Sequence, residues 1–418
     1  MGKTFAEKIL AKKSGKSSVI PGEIVEVTPD FVMSHDNTAA ISKTFYKIGI
    51  KKVKEPDKLV IILDHCVPAA TEKYADNHRV IREFVEEQKI RNFYDINEGI
   101  CHQVLCEKGF ALPGKLILGS DSHTTTYGSF GAFSTGIGRS EMAVIYATGK
   151  IWLRVPETIK IIVEGSFKYG ISSKDLILKI VGEIGADGAL YKAVEFSGNT
   201  VKDMSLSSRM VITNMSVEMG AKIGYVEPDE KVFDWIKGKE KSDYEVVVSD
   251  KDARFEEVLR YNVDELEPQV ASPHTVDNVY PIKDVKGVKI NQALLGTCTN
   301  GRIEDLKMAA EILKGKKING NVRLLIFPAS YKIYKEIVKN GIAEIFLESG
   351  GILMNPGCGP CLGAHEGVLA PGEVCISTAN RNFKGRMGCR EAEIYLGSPA
   401  TVAASALKGE IADFREII

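Results

Sequence analysis

The segment NPGCGPCLG, residues 355–363, places Cys358 and Cys361 at the spacing of a thioredoxin-type redox pair. A thioredoxin fold carries its pair near the start of a helix early in a small domain and needs most of that domain downstream. Little of the chain follows Cys361, and both tryptophans, Trp152 and Trp235, are remote from the motif in sequence. We therefore do not favour a disulfide oxidoreductase.

Metal binding is the other chemistry open to these two cysteines. A zinc site takes four ligands, and no second Cys-x-x-Cys or spaced His pair accompanies the motif. A third cysteine, Cys298, lies in LLGTCTNGR directly after an apolar run. Three thiolates can hold three irons of a [4Fe-4S] cluster and leave the fourth iron open to substrate. Such an iron is a Lewis acid that binds carboxylate and hydroxyl oxygens.

Histidines and carboxylates occur together in three short motifs. Asp64-His65 stands in ILDHC, His102 in GICHQV, and Asp121-Ser122-His123 in GSDSHT. A carboxylate beside an imidazole fixes its tautomer and raises its basicity. A single His after a strand is more often a structural, hydrogen-bonded residue, but three such clusters favour acid-base chemistry.

Short apolar, β-branched runs alternate with helical patterns along the chain, which predicts an α/β fold with mainly parallel sheets. The reactive clusters follow these runs directly, and ligands of open α/β sheets bind at the carboxyl ends of the strands. The predicted strands lie in KLVIILDH at 58, KLILGSDSH at 115, IKIIVEG at 159, NQALLGTCTN at 291, NVRLLIFPAS at 321 and GEVCISTAN at 372.

The composition of the chain limits the classes of molecule that it can be expected to bind. The formal net charge of the 418 residues is -1, so the chain has no overall field that attracts nucleic acid or an anionic membrane. Eight cysteines are too few for a disulfide scaffold in a chain of this length. No apolar run approaches the roughly 20 residues of a membrane helix. We expect a cytoplasmic protein that acts on a small molecule and binds neither nucleic acid nor membrane.

LLGTCTNGRIEDL and GGILMNPGCGPCLG resemble the two signature segments of the aconitase superfamily, and the resemblance extends over nearly the whole chain. In length, the chain is similar to the large subunit of the two-subunit members, 3-isopropylmalate dehydratase and archaeal homoaconitase. The resemblance implies three α/β domains around a central iron-sulfur cleft. We place domain 1 at residues 1–160, domain 2 at 161–285 and domain 3 at 286–418.

The resemblance also implies the site. It assigns a [4Fe-4S] cluster with three Cys ligands and one open iron, three carboxylate–histidine pairs, and polar residues that bind substrate or surround the cluster. Asn214 and Glu218 lie four apart in TNMSVEMGA, on one face of a predicted helix. The metal ligands are Cys298, Cys358 and Cys361; the catalytic pairs are Asp64 with His65, His102 with Asp121, and His123 with Glu218; the substrate-binding residues are Ser122, Asn214, Asn380, Arg381 and Arg386.

Two features separate the chain from single-chain aconitases. A substrate-binding glutamine of those enzymes corresponds to Ala40 in HDNTAA, which fits a substrate without the third carboxylate of citrate. Their C-terminal domain, which provides a serine base and arginines, is missing here, so we expect a separate small subunit. The expected reaction is the interconversion of 2- and 3-isopropylmalate in leucine biosynthesis, with homoaconitase or another hydroxy-acid hydro-lyase as alternatives. An RNA-binding regulator is disfavoured by the nearly neutral net charge and the missing fourth domain, and an electron-transfer protein would want a fourth cluster ligand.

Overall fold

The computed structural model describes residues 2–417, and within that range it contains four β-sheets linked by helices. The strands are β1 (Ile24–Val27), β2 (Phe31–Ser34), β3 (Leu59–Ile62), β4 (Asn92–Tyr94), β5 (Leu116–Gly119), β6 (Phe133–Gly136), β7 (Ile151–Arg154), β8 (Thr158–Glu164), β9 (Ala193–Ser197), β10 (Ile223–Val226), β11 (Glu257–Asn262), β12 (Gln269–Ala271), β13 (Val279–Pro281), β14 (Gln292–Gly296), β15 (Arg323–Phe327), β16 (Ile352–Leu353), β17 (Val374–Ser377) and β18 (Glu393–Leu396). The α-helices are α1 (Phe5–Ser14), α2 (Thr38–Lys47), α3 (Glu72–Gln88), α4 (Cys101–Glu107), α5 (Arg139–Thr148), α6 (Ser173–Ile184), α7 (Asn199–Asp203), α8 (Leu206–Met215), α9 (Glu230–Ile236), α10 (Thr297–Asn300), α11 (Ile303–Leu313), α12 (Tyr331–Lys339), α13 (Ile342–Glu348) and α14 (Pro399–Lys408).

The first large sheet has the order β4-β3-β2-β5-β6, and all of its pairings are parallel. Strands β3 and β5 are buried along their whole length. A parallel sheet covered on both faces reads as continuous apolar runs, which explains why LVII and LILG show no alternation. A separate antiparallel ribbon joins β1 to β7.

The other two large sheets are also mainly parallel. The second has the order β10-β9-β8-β11, all parallel. The third has the order β13-β12-β18-β17-β14-β15-β16, and only the pairings made by β12 are antiparallel. The predicted α/β class with mainly parallel sheets is confirmed. No helix within residues 2–417 is long and apolar enough to cross a bilayer.

Sheet membership differs from the predicted domain boundaries at two points. The boundary between residues 160 and 161 falls inside β8, which pairs with β9 and β11 of the second sheet. Strands β12 and β13 lie before residue 286, yet β12 pairs with β18 of the third sheet through Ala271 and Leu396. These pairings concern sheet membership only, and the division into three domains stays a prediction. The distant pairing partner of β12 is not visible in local sequence patterns.

Candidate active site

Four strand ends bring the predicted site residues together. Asp64 follows β3, Asp121 follows β5, Cys298 follows β14 and Asn380 follows β17. The first two strands belong to the first large sheet and the last two to the third. The carboxyl ends of the two sheets face each other, as the backbone N–H of Cys358 donates to the carbonyl of Asp64 at 3.1 Å.

Two of the three predicted cysteines contact the same side-chain amide, and the third is joined to them through the backbone. The Asn380 amide has its nitrogen 3.3 Å from Sγ of Cys298 and its oxygen 3.6 Å from Sγ of Cys361. The N–H of Cys361 donates to the carbonyl of Cys358 at 3.1 Å, which closes the turn between the paired cysteines. Asn214 adds a second amide, 3.5 Å from Sγ of Cys298.

Unusual backbone conformations hold two of the cysteines in place. Gly359, inside the Cys-x-x-Cys turn, has a φ of 54°, and a Cβ there would lie 2.5 Å from the ring of Phe327. Thr297, directly before Cys298, has a φ of 65°. A β-branched residue in this region is strained, and such strain is concentrated at functional sites. The backbone is thus shaped to aim the thiols.

The thiols fit a polynuclear cluster better than a single ion. Ligands of one zinc ion lie about 4 Å apart, since each sits about 2.3 Å from the metal. Among the described residues, the groups of His, Cys, Asp and Glu atoms that close within 4.8 Å do not include these three sulfurs. Burial raises the pKa of the Cys298 thiol to about 12, with the neighbouring Cys361 adding to the rise. Metal binding must therefore displace a proton from it.

All three predicted imidazole–carboxylate pairs are in contact. Nδ1 of His65 lies 2.6 Å from Oδ1 of Asp64, Nε2 of His102 lies 2.7 Å from Oδ1 of Asp121, and Nε2 of His123 lies 2.7 Å from Oε1 of Glu218. The His65 side chain is the most exposed imidazole of the three, at 16% against 3% and 6%.

Asp121 is shared by three imidazoles. Besides His102, its carboxylate lies 3.5 Å from Nε2 of His65 and 3.5 Å from Nδ1 of His123. Burial acts to raise the pKa of Asp121, but hydrogen bonds from the three histidines outweigh it and hold that pKa well below the usual range. The carboxylate is therefore a fixed negative charge at the centre of the site.

Glu218 and Arg381 join the second sheet region to the loop after β17. Nε of Arg381 donates to both oxygens of Glu218 at 2.9 and 3.0 Å, and its Nη1 lies 3.4 Å from Oγ of Ser122. Asn214 and Glu218 do not share one α-helix as predicted, because α8 ends at Met215 and the chain tightens into a 3-10 helix, Ser216–Met219. Both side chains nevertheless reach the same cluster of residues.

Arg386 supplies a guanidinium with free hydrogen-bonding capacity. Its Nη2 lies 3.8 Å from Sγ of Cys361, and its buried Nε has no partner among the described residues. A buried donor without a partner costs free energy unless a ligand completes it. The arrangement suits an anionic group beside Cys361, as the bidentate geometry of arginine favours carboxylates.

Sequence reasoning missed Asp36, which organises the loop after β3. One oxygen of Asp36 accepts from the backbone N–H groups of Asp64 and His65 at 2.9 Å each, and the other accepts from Cys66 at 3.1 Å and contacts His78 at 2.8 Å. The position of Asp36, two residues after β2, was the available signal, since the other polar clusters of the site also follow strand ends.

The HDNTAA segment contributes His35 to the site as well as Asp36. The His35 ring stacks on His65 with centroids 3.7 Å apart, whereas Ala40 lies within α2. Burial lowers the pKa of His35 to about 4, and the charge of His65 lowers it further. The same segment that contains Ala40 therefore contributes a neutral imidazole, His35, to the site.

Comparison with known proteins identifies the family of the chain. A family model described as aconitase family (aconitate hydratase) matches residues 7–288 and 278–409. The 3-isopropylmalate dehydratase large subunit 1 of Methanopyrus kandleri is 51% identical over 416 residues, covering 99% of each chain. A probable methanogen homoaconitase large subunit of Methanosarcina mazei is 54% identical over 389 residues, covering 93% of this chain and 99% of the other. The 3-isopropylmalate dehydratase large subunit of Aquifex aeolicus is 46% identical, covering 100% of this chain and 98% of its own. The chain therefore belongs to the aconitase family.

Proposed function

We propose that this chain is the cluster-bearing large subunit of a 3-isopropylmalate dehydratase, which interconverts 2- and 3-isopropylmalate by removal and readdition of water. The observation that carries the proposal is the convergence of Cys298, Cys358 and Cys361 with three imidazole–carboxylate pairs at facing sheet ends. Full-length similarity to dehydratase large subunits supports the substrate.

The three thiols are the proposed ligands of a [4Fe-4S] cluster. When bound, the cluster supplies a Lewis-acidic iron for a carboxylate and a hydroxyl oxygen of the substrate. Asn380 and Asn214 donate toward Sγ of Cys298 and hold that side chain in place. Charge on the thiolate is stabilised by such donors in a buried site.

His65 is the proposed acid for the departing hydroxyl. It is the most exposed of the three paired imidazoles, and it lies between the carboxylates of Asp64 at 2.6 Å and Asp121 at 3.5 Å. These two negative charges favour the protonated imidazole, which gives up its proton as the C–O bond breaks. Asp64 is itself held by the N–H of Cys101 at 2.7 Å, so the pair keeps its orientation.

Two arginines are the proposed carboxylate binders. Arg386 has an unpartnered Nε, and Arg381 extends Nη1 toward Ser122 from its ion pair with Glu218. A hydroxy-dicarboxylate presents the two acidic groups that such guanidinium forks bind. His123 shares Glu218 with Arg381, which fixes that carboxylate from two sides.

A separate small subunit completes the proposed enzyme. The relatives carry "large subunit" in their names, which supports a heteromer in this family. The partner would provide the base for the carbon-bound proton and contacts to the variable substituent of the substrate. Homoaconitase is the second candidate, because a relative of that name is 54% identical to this chain.

The test is an assay of the anaerobically reconstituted heteromer, following the unsaturated intermediate by ultraviolet absorbance. Isopropylmalate, homocitrate-series acids and citraconate are compared under the same conditions. We expect isopropylmalate to give the highest kcat/KM. A preference for homocitrate-series acids would reject the dehydratase in favour of homoaconitase, and absence of turnover with every acid would reject both.

A further inference from the structure

Lys174, near the start of α6, is completely buried. Its Nζ lies 2.7 Å from the carbonyl oxygen of Ala379, 2.9 Å from that of Thr378 and 3.2 Å from Sδ of Met215. Three acceptors around one nitrogen need three N–H donors. An ammonium has three, whereas a neutral amine has two, so the geometry requires the charged form.

This charge has no carboxylate partner. Within residues 2–417, no Asp or Glu oxygen lies within 4.0 Å of Nζ of Lys174. The adjacent Asp175 faces elsewhere and accepts from the backbone N–H groups of Ser172 and Gln269. A buried charge without a counter-charge is costly, so an anion close to Lys174 is expected.

The proposed cluster ligands are the leading anionic groups near Lys174, ahead of the carboxylates of Glu218 and Asp175. The carbonyl of Thr378 accepts hydrogen bonds from Lys174 and, at 2.6 Å, from Oγ1 of Thr299. Thr299 directly follows Cys298 in the sequence. The carbonyl of Ala379 precedes Asn380, whose amide contacts Sγ of Cys298 and Sγ of Cys361. Burial lowers the pKa of Lys174 to about 8, and Cys298 and then Cys361 are the leading influences that oppose this fall.

We infer that Lys174 is a positioning residue that supplies the counter-charge of the iron-sulfur group and fixes the loop that carries Asn380. The inference rests on the cluster proposed above. Three thiolates on a [4Fe-4S]2+ core carry one net negative charge, and one-electron reduction adds a second. A fixed ammonium therefore favours the reduced state.

Cluster-loaded Lys174→Met, Lys174→Gln and Lys174→Arg variants test this role by their midpoint potentials, measured in EPR-monitored redox titrations. Removal of the charge should lower the ratio of reduced to oxidised cluster at fixed potential about tenfold, as expected for one charge on the order of 10 Å away. For a one-electron couple this is a fall of about 59 mV. Lys174→Arg keeps the charge and should stay within a few-fold of wild type.

Lys179→Met is the matched control on the same helix. Lys179 pairs with Glu183, and its side chain is 43% exposed, so its removal should leave the potential unchanged. Iron and sulfide contents are measured in every sample, and circular dichroism reports the fold of each apoprotein.

The possible failures are distinct. Wild-type protein that binds no cluster would overturn the cluster proposal, and with it the premise of this role. If wild-type protein binds the cluster and the Lys174→Met and Lys174→Gln variants have the same midpoint potential as wild type, only the counter-charge role is overturned. Met and Gln variants that do not fold, beside a folded Arg variant, would assign the ammonium to the apoprotein fold and likewise overturn the inference.

Discussion

At the scale of single residues, the site is organised by buried carboxylates that each serve several partners. Asp121 faces three imidazoles, and Asp36 accepts three backbone N–H groups of the loop after β3. A carboxylate with several donors is fixed in orientation and stays ionised at low pH. The imidazoles are thereby held without any contribution from bound substrate.

The ligand set can be tested by replacing cysteines one at a time. Cys298→Ser, Cys358→Ser or Cys361→Ser should abolish stable cluster binding, because a [4Fe-4S] core with two thiolates loses a corner ligand. Cys375→Ser and Cys389→Ser are the controls, because the hydrogen bonds of these two thiols join them to Ile376 and Glu391, which are not site residues. Both variants should keep nearly full iron content. Cluster loss in a control, with retention in Cys298→Ser, would show that the ligand set is wrong.

Substitution of the proposed proton-handling residues should lower turnover without loss of iron, unlike substitution of the cysteine ligands. His102→Ala and Asp64→Asn should retain iron but lower kcat by roughly a hundredfold or more, the range of positioned acid-base groups. Iron content and turnover are measured on the same anaerobic preparation with a small subunit added. Near-normal turnover in both variants would return His102 and Asp64 to structural roles.

His35 should make the free energy of unfolding depend on pH. An unfolded histidine takes a proton near pH 6.5, whereas the folded His35 has its pKa lowered to about 4 by burial. The unfolded chain therefore binds more protons between these values, and the stabilisation present above pH 6.5 is lost as the pH falls toward 4. Denaturant unfolding of the apoprotein across this range should show a shallower pH dependence in His35→Gln. Equal slopes would contradict the neutral buried imidazole.

Local sequence patterns predicted residue identities, whereas the three imidazole–carboxylate pairings were predicted from the resemblance to aconitases. Cysteine spacing and the strand-end motifs singled out the thiols and the paired imidazoles, because both signals are local. Lys174 left a weaker local sign: it lies three, four and seven residues before Ile177, Leu178 and Val181, on the apolar face of α6. Its acceptors Thr378 and Ala379 lie some two hundred residues away, and no local pattern reports such a contact.

At the scale of elements, short turns with restricted backbone place the cysteines. Gly359→Ala should abolish or strongly reduce cluster assembly, because a Cβ at a φ of 54° would also overlap the Phe327 ring at 2.5 Å. The ring or the turn must then shift, and the thiols on either side shift with it. Iron content after anaerobic reconstitution measures the effect.

Gly372→Ala separates backbone strain from the overlap. Gly372 has a φ of 75° with open space where an added methyl group would lie, so its substitution carries only the strain of about 1 kcal/mol for a left-handed residue. This variant should lose some thermal stability and keep its iron. Equal iron loss in both variants would show that strain alone, and not the Phe327 contact, accounts for the effect at Gly359.

Helices and strands could be predicted from the sequence where a single hydrophobic pattern extends over the whole segment. All six predicted strands are present, since buried parallel strands are continuous apolar runs. Helix α6 begins after Ser172 and ends before Gly185, two residue types that commonly cap helices. The change from α8 to a 3-10 helix at Ser216 was not predictable, because it is fixed by tertiary contacts such as His123 with Glu218.

At the scale of the whole molecule, the site exists only where sheet ends meet. The paired cysteines follow β16 of the third sheet, whereas Asp64 follows β3 of the first. Arg381 follows β17 of the third sheet and contacts Glu218, which lies between β9 and β10 of the second. The resemblance to aconitases predicted this convergence, whereas periodicity alone could not, because it carries no information about how sheets face one another. The same arrangement leaves the side chains of His65 and Arg381 partly exposed.

The partial exposure of these side chains leads to a prediction for the lone subunit: even with a full cluster, it should show negligible isomerase activity until a small subunit is added. Its imidazoles and arginines can protonate the departing hydroxyl and bind carboxylates, but removal of the carbon-bound proton needs a base that we assign to the partner. Docking would also exclude water and strengthen the electrostatic interactions around His65 and Arg381.

Turnover of isopropylmalate is followed by ultraviolet absorbance with and without the small subunit, at matched iron content. The Asp64→Asn large subunit, docked in the same way, is the control for background turnover by the partner preparation. Substantial turnover by the large subunit alone would reject the two-subunit proposal, because the missing base would then have to lie within this chain.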